Sequence, residues 1–137
     1  MKRLLVTGSR DWPREQYDKI AFELGRAVAE LALSDADERG RVVIVHGGAA
    51  GVDSVVEHLA KRYAIPTEVH EPEWRPHGIY NPQAGMVRNS KMVHLGFDMC
   101  LAFIHANSRG ATDCATKAAA WCVDHDEAGL RVFRSTE

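Results

Sequence analysis

The run Val42-Val43-Ile44-Val45, broken at once by Gly47-Gly48-Ala49-Ala50-Gly51, constrains this chain more than any other feature. A continuously apolar strand has to be covered on both faces, which is the situation of a central strand in a parallel sheet with helices on either side. The small residues that follow open a helix, with Val52, Val55, Val56, Leu59 and Tyr63 expected along its inner side. Strand, glycine-rich turn and helix in that order describe the first half of a βαβ unit.

Short β-like runs alternate with amphipathic stretches along the whole length, with no repeat, low-complexity segment or linker. The first strand is expected over Arg3 to Thr7, ending at Gly8-Ser9-Arg10-Asp11-Trp12-Pro13. Tyr17, Ile20, Leu24, Ala27, Val28 and Leu31 then form one helical stripe, and Arg39-Gly40 closes the unit. A third strand opens at Ile65-Pro66 and runs to about His70; half of it is polar, so it belongs at an edge. Glu71 to Gln83 holds prolines, a glycine, Trp74 and Tyr80 without any period, and reads as a long irregular loop of the functional kind. A helix is expected over Ala84 to Leu95, with Met86, Met92 and Val93 turned inward, and an apolar strand over Asp98 to Ile104. Ala115, Ala118, Ala119 and Cys122 mark a small-residue helix face, and Leu130 to Phe133 makes the last strand. Five strands separated by helices predict a three-layer α/β sandwich with a mostly parallel five-stranded sheet in the order 3-2-1-4-5. Ligands of such sheets bind beyond the carboxyl ends of strands 1 and 4, where the winding reverses.

At 137 residues the chain is the size of one domain, expected over 1–137. Its 45% hydrophobic and 26% charged residues are those of a globular protein. Seventeen basic against nineteen acidic residues, for a net charge of -2, provide no global pull on nucleic acid or an anionic membrane, so neither is an expected partner. Apolar runs reach about five residues where a membrane helix needs roughly 20, and residues 1 to 8 enter a strand without a cleavage site, so a cytoplasmic protein is expected. Cys114 and Cys122 lie roughly 12 Å apart on one helix, too far to pair, and with Cys100 they read as reduced packing residues. The seven histidines are scattered and no Cys-x-x-Cys pair exists, so no metal site is expected.

Small residues at strand-to-helix turns let backbone N–H groups approach an anion, which makes Gly47, Gly48, Ala49, Gly51 and Val52 candidate phosphate contacts. The loop is neither a Gly-x-Gly-x-x-Gly fingerprint nor a Walker loop, which removes the strongest markers of NAD binding and ATP hydrolysis. Asn107-Ser108-Arg109-Gly110-Ala111-Thr112 is a second small-residue loop; Gly110, Ala111 and Thr112 are candidate contacts, with Thr112 also readable as a plain N-cap. Gly8, Ser9 and Arg10 converge on the same crevice. Arg88 supplies a planar fork for phosphate, with Asn89 beside it, or else an ordinary ion pair. Asp53 in the first turn of its helix is stabilised there by the dipole, or pairs with ribose hydroxyls, or does acid/base work. Trp74 and Tyr80 either stack on a base or anchor their loop, while Trp12 reads as packing.

Taken together, Val6-Thr7-Gly8-Ser9-Arg10, His46-Gly47-Gly48-Ala49-Ala50-Gly51-Val52-Asp53, Trp74, Ala84-Gly85-Met86-Val87-Arg88-Asn89-Ser90-Lys91-Met92 and Gly110-Ala111-Thr112 resemble the SLOG superfamily, in its YspA-like, YpsA-related branch of bacteria and their phages. The resemblance covers almost the whole chain. It implies a Rossmann-like domain that senses or carries a nucleotide or nucleotide derivative, with no further cofactor required.

The same superfamily includes the lonely-guy phosphoribohydrolases, which cleave the N-glycosidic bond of nucleoside monophosphates, and Arg88 and Met92 match their Arg-x-x-x-Met. Their Pro-Gly-Gly-x-Gly-Thr-x-x-Glu is degraded here, and Ala115 stands where the catalytic glutamate would follow Thr112 by three. Such an activity would have to fall on Arg88 with Asp53 or Asp113; the helix starts at which both carboxylates lie are expected to lower their pKa and favour the ionised form. DNA-processing proteins of the superfamily bind single strands, a third reading that the acidic balance does not favour. A homodimer through the exposed face of the Ala84 to Leu95 helix is a further expectation.

Overall fold

The computed structural model describes residues 1–34 and 41–136, and the expected boundary at Arg39-Gly40 lies outside them. β1 (Lys2–Gly8) passes through a 3-10 turn at Arg14–Gln16 into α1 (Tyr17–Ser34). β2 (Val42–His46) leads through the glycine loop to α2 (Val52–Arg62) and a short β3 (Thr67–Val69). The segment after β3 is irregular as expected, with one 3-10 turn at Pro76–Gly78. It delivers α3 (Ala84–His94), β4 (Met99–Ile104), α4 (Arg109–Asp124) and β5 (Gly129–Arg134).

All five strands are parallel, in the order β3-β2-β1-β4-β5, which is the expected winding of a Rossmann-like fold. In β1, Leu5 lies in register with Val45 on one side and Cys100 on the other. Successive strand residues face opposite ways, and the two cores follow from that alternation. Leu4, Val6 and Ile44 join Ile20, Leu24, Val52 and Val56 of α1 and α2 on one face. Leu5, Val45 and Cys100 join Met92, Val93, Cys114 and Ala118 of α3 and α4 on the other. Trp12 packs edge-on against Phe103 at 5.6 Å, the packing role expected of it. Each fully buried Leu, Ile or Phe contributes about 1.5–3 kcal/mol, so the paired cores hold the sheet between its helices. Among the described residues no helix is long and apolar enough to cross a membrane.

Five local expectations are corrected. The inner face of α4 is Ala111, Cys114, Ala115 and Ala118, and Ala119, one position or about 100° further round, is exposed. Thr112 is not an N-cap: Ser108 is, and Thr112 donates its N–H to the Ser108 carbonyl inside the first turn. On α2 the buried positions are Val52, Asp53, Val56 and Ala60, so Tyr63 at the helix end stands 65% exposed. Met86 is exposed as well, because the inward stripe of α3 is Ala84, Asn89, Met92 and Val93. β3 is shorter than expected for a related reason. Ile65 N–H is taken by Ala60 at the end of α2 and Pro66 has none, so the ladder begins at Thr67.

Two glycines show how closely the layers fit. A Cβ on Gly8 would lie 2.3 Å from the Cβ of Val52, so β1 ends against the first residue of α2 with no room for a side chain. Gly25 in α1 has open space around it. Gly8→Ala should therefore lose about 1–3 kcal/mol by overpacking, whereas Gly25→Ala should gain about 0.5–1 kcal/mol of helix stability; urea unfolding of both variants checks the opposite signs.

Arg3 on β1 reaches across to the β3 edge, donating to Glu68 Oε1 and Oε2 at 3.1 and 2.8 Å, and Glu68 also pairs with His70 at 2.6 Å. The Arg3 and His70 contacts hold the Glu68 carboxyl at about 2, below its usual 4.5. A depressed carboxylate stabilises the fold above its unfolded pKa and loses that contribution as pH falls through the folded one. With the Glu68 side chain 37% exposed, solvent screening limits the effect to about 1 kcal/mol. Unfolding measured from pH 5 down to pH 2 should show the gap between wild type and Glu68→Gln closing over that window.

Candidate functional site

The carboxyl ends of β1 and β4 diverge into the two loops of interest, and Ser9 holds them in place. Its N–H donates to Phe103 O at 2.9 Å, its Oγ accepts from His105 N–H at 2.8 Å, and its carbonyl accepts from Val52 N–H at 3.3 Å. Gly51 (φ +79°) lies against this turn, and a Cβ there would come within 2.4 Å of Arg10 O. Gly8, Ser9, Gly51 and Val52 thus dock the start of α2 under the end of β1. Val52 is fully buried, with its N–H already used.

The glycine loop spends its amides in a similar way. Gly48 N–H donates to His46 Nδ1 at 3.1 Å, which leaves the His46 ring to donate from Nε2 to Glu57 Oε1 at 2.7 Å. Ala49 N–H donates to Asp53 Oδ2 at 3.2 Å. Gly47 is bare because Arg88 lies over it: a Cβ would sit 2.3 Å from Arg88 Nη1. That nitrogen donates to Gly47 O at 2.5 Å and His70 O at 3.1 Å, and Nε donates to Asn89 Oδ1 at 2.9 Å. Nη2 has no bonded partner among the described residues. Asn89 passes the tie onward, donating Nδ2 to Gly110 O at 3.2 Å and to Asp113 Oδ2 at 3.1 Å. Lys117 closes it, with Nζ 2.9 Å from both Asp113 Oδ2 and Met86 O.

Over this network opens a cleft of about 410 Å³. Thr7 and Gly8 line it at the end of β1, Ala49 and Asp53 from the β2–α2 side, and Ser108, Arg109, Gly110 and Ala111 from the β4–α4 side. Arg10, Asp11, Trp74, Pro82, Gly85, Met86, Arg88 and Asn89 complete the lining. Ser108 makes no side-chain capping bond, and the first amide of α4 with an intrahelical partner is that of Thr112. The N–H groups of Arg109, Gly110 and Ala111 are therefore unpaired among the described residues, at the positive end of a 16-residue helix.

Arg88 is half-buried, and burial lowers its pKa against the opposing charge of Asp53, while Arg10 adds repulsion. Asp53 is 5% exposed. Burial pushes its pKa up, outweighing the Ala49 N–H bond and the nearby Arg88. The expectation that the helix start lowers it is corrected: desolvation of the buried carboxyl outweighs the contacts that favour its ionised form. Asp53 Oδ1 is buried without a hydrogen-bond partner among the described residues.

The cleft thus gathers Gly8, Arg10, Ala49, Asp53, Trp74, Arg88, Asn89, Gly110 and Ala111 of the candidates. Gly47 lies beneath Arg88, and Gly48 lines a neighbouring hollow with His46 and Glu57. Thr112 and Asp113 line another hollow on the far side of Arg109. Tyr80 is stacked on Trp74, ring centroids 6.2 Å apart, outside the cleft lining. Sequence reasoning passed over Arg109 and Asp11. Arg109 had a signal, a cation inside a small-residue turn before a helix; Asp11 had none. Among the described residues no group of three His, Cys, Asp or Glu side chains is placed to hold a metal ion.

Residues 2–77 match the model of a family described as the YspA, cpYpsA-related SLOG family. Gene 61 protein of Mycobacterium phage D29 is 35% identical over 125 residues, covering 86% of this chain and 89% of that protein. No solved structure matches the chain. A match over more than half the length, which takes in β1 and the whole glycine loop, and a phage relative aligned over most of both proteins establish that the chain belongs to the YspA, cpYpsA-related SLOG family.

Proposed function

We propose that this protein binds a nucleotide or nucleotide derivative in the cleft between the β1 and β4 ends. The observation that carries the reading is the convergence of three guanidinium groups, Arg10, Arg88 and Arg109, with the unpaired amides that open α4. That is the environment of a phosphate: charge, a fork and helix-end donors. In this reading the phosphate lies on the α4 side, where Arg109 stands beside open amides, while on the other side the Gly48 and Ala49 amides are donated to His46 and Asp53 and a carboxyl lies close by. Trp74, in the cleft lining and stacked on Tyr80, supplies an aromatic ring for a base. Membership of a SLOG family is compatible with nucleotide-related binding, and the winding reversal is where such sheets take ligands.

A second reading, cleavage of the N-glycosidic bond, has one observation in its favour: burial holds Asp53 toward the protonated form inside the cleft, as a general acid requires. Ala115, at the position of the superfamily's glutamate, is buried against the sheet, and Asp113 is tied to Asn89 and Lys117. Any such chemistry would fall on Asp53. Release of free base and ribose 5-phosphate from AMP, lost in Asp53→Asn, tests it.

The binding reading is tested by thermal shift and calorimetry with AMP, ADP, dinucleotides and the parent nucleosides. A ligand at 100 times its dissociation constant adds about 2.7 kcal/mol of stability, and no shift with any of them would sink the proposal. Arg10→Ala and Arg109→Ala, both at exposed positions, should each weaken nucleotide binding by about 1.5–3 kcal/mol and leave nucleoside binding and unfolding unchanged. Arg88→Ala should lose stability as well, since it frees the Gly47 and His70 carbonyls, and Arg88→Lys should retain part of the affinity through its charge alone. Trp74→Ala should cost about 1–3 kcal/mol of affinity if the ring stacks on a base; a loss of stability with affinity intact would make it an anchor of its loop.

A further inference from the structure

Asp53 carries an unmet demand. Its Oδ2 is engaged by Ala49 N–H at 3.2 Å, while Oδ1 is buried with no hydrogen-bond partner among the described residues, in a residue that lines both the cleft and the neighbouring hollow beside His46. Buried polar atoms left without a partner are rare because they are costly, and in a binding cleft the natural donor or acceptor is the ligand. Arg88 does not supply it: its Nη1 and Nε are committed to Gly47, His70 and Asn89, and it makes no ion pair within bonding distance of Asp53.

The chemistry of the surroundings narrows what the ligand presents. A cationic group is opposed by Arg10, Arg88 and Arg109. A phosphate is repelled by the carboxylate whenever Asp53 is ionised, and has better partners across the cleft at the start of α4. A ring N–H only donates and a carbonyl only accepts, so each suits one protonation state of a carboxyl. A hydroxyl does both, and satisfies Oδ1 whether or not it holds a proton. Burial pushes the Asp53 pKa up, which makes this tolerance useful. In a nucleotide with its phosphate on the α4 wall and its base toward Trp74, the group between them is the sugar.

Resting on the nucleotide reading, we infer that Asp53 determines the specificity of the cleft, its Oδ1 pairing with a sugar hydroxyl so that the ligand is a nucleotide with an intact ribose diol. The pairing uses an oxygen that has no hydrogen-bond partner among the described residues, and the Ala49 N–H bond to Oδ2 holds the carboxyl in position.

The experiment is calorimetric titration of AMP, 2′-deoxy-AMP and 3′-deoxy-AMP into wild type, Asp53→Ala and Arg109→Ala. On wild type at least one deoxy analogue should bind about tenfold or more weakly than AMP, the scale of one buried hydrogen bond left unmade. On Asp53→Ala the three ligands should bind alike, whereas Arg109→Ala should weaken all three and keep their ratio. Should Asp53→Ala fail to fold, wild-type protein with ¹³C-labelled aspartate carries the comparison: AMP should move the Asp53 carboxyl resonance and the weaker analogue should move it less. Equal binding of all three ligands to wild type, discrimination that survives in Asp53→Ala, or a carboxyl resonance indifferent to AMP would overturn the inference and leave the nucleotide reading standing. If none of AMP, ADP and the dinucleotides binds the wild type, the nucleotide reading falls and this inference with it.

Discussion

The Arg88 guanidinium, laid across the backbone of Gly47, is the interaction on which the arrangement of the cleft depends. One side chain of α3 takes the carbonyls of the β2–α2 loop and of His70, just beyond β3, and through Asn89 it reaches the first turn of α4. Elements from both faces of the sheet are thereby fixed at its carboxyl edge. The glycine at position 47 follows from this contact, since any Cβ would occupy the space of the guanidinium. An arginine lying against backbone is also a charge taken partly out of water, and it needs acceptors in fixed places to offset that cost. The two carbonyls and the Asn89 side chain provide them.

The small residues of the chain therefore divide by purpose. Gly8 and Gly51 admit the close approach of α2 to the β1 turn, Gly47 admits Arg88, and Gly110 leaves the start of α4 open. The amides that a glycine loop ordinarily offers to an anion are used at Gly48 and Ala49 to hold His46 and Asp53. Three further open amides begin α4, across the cleft and beside Arg109. The cleft therefore joins two chemistries: Arg109 and the open amides of α4 on one side, and on the other a buried carboxyl whose ionised form desolvation disfavours, with Arg88 close by. A ligand with a charged end and a neutral hydroxylated part matches both, which is the sense of the nucleotide proposal.

Much of this protein was legible before any coordinates. The apolar run at Val42 to Val45, the five alternating strand and helix patterns and the polar third strand determined a parallel sheet wound 3-2-1-4-5, because continuous apolar strands need two covered faces and right-handed crossovers leave few ways to cover them. The ordered motifs around Gly47 and Arg88 pointed to the family. Local periodicity was weaker: Tyr63, Met86 and Ala119 each fit a stripe on paper, yet the actual stripes are set by which turn the helix begins on, one residue being worth about 100°.

What only the tertiary structure decided was how the site residues are used. Whether a glycine amide is free or already donated, whether Arg88 points to solvent or lies across Gly47, and whether the Asp53 pKa moves up or down all depend on neighbours distant in sequence. The pattern of apolar and polar residues carries the fold because burial is a property of each residue's own surface. Hydrogen-bond partnership and desolvation belong to pairs and surroundings, and the pairs Arg88 with Gly47 and Asn89 with Asp113 exist only once α3 has been brought onto the sheet edge.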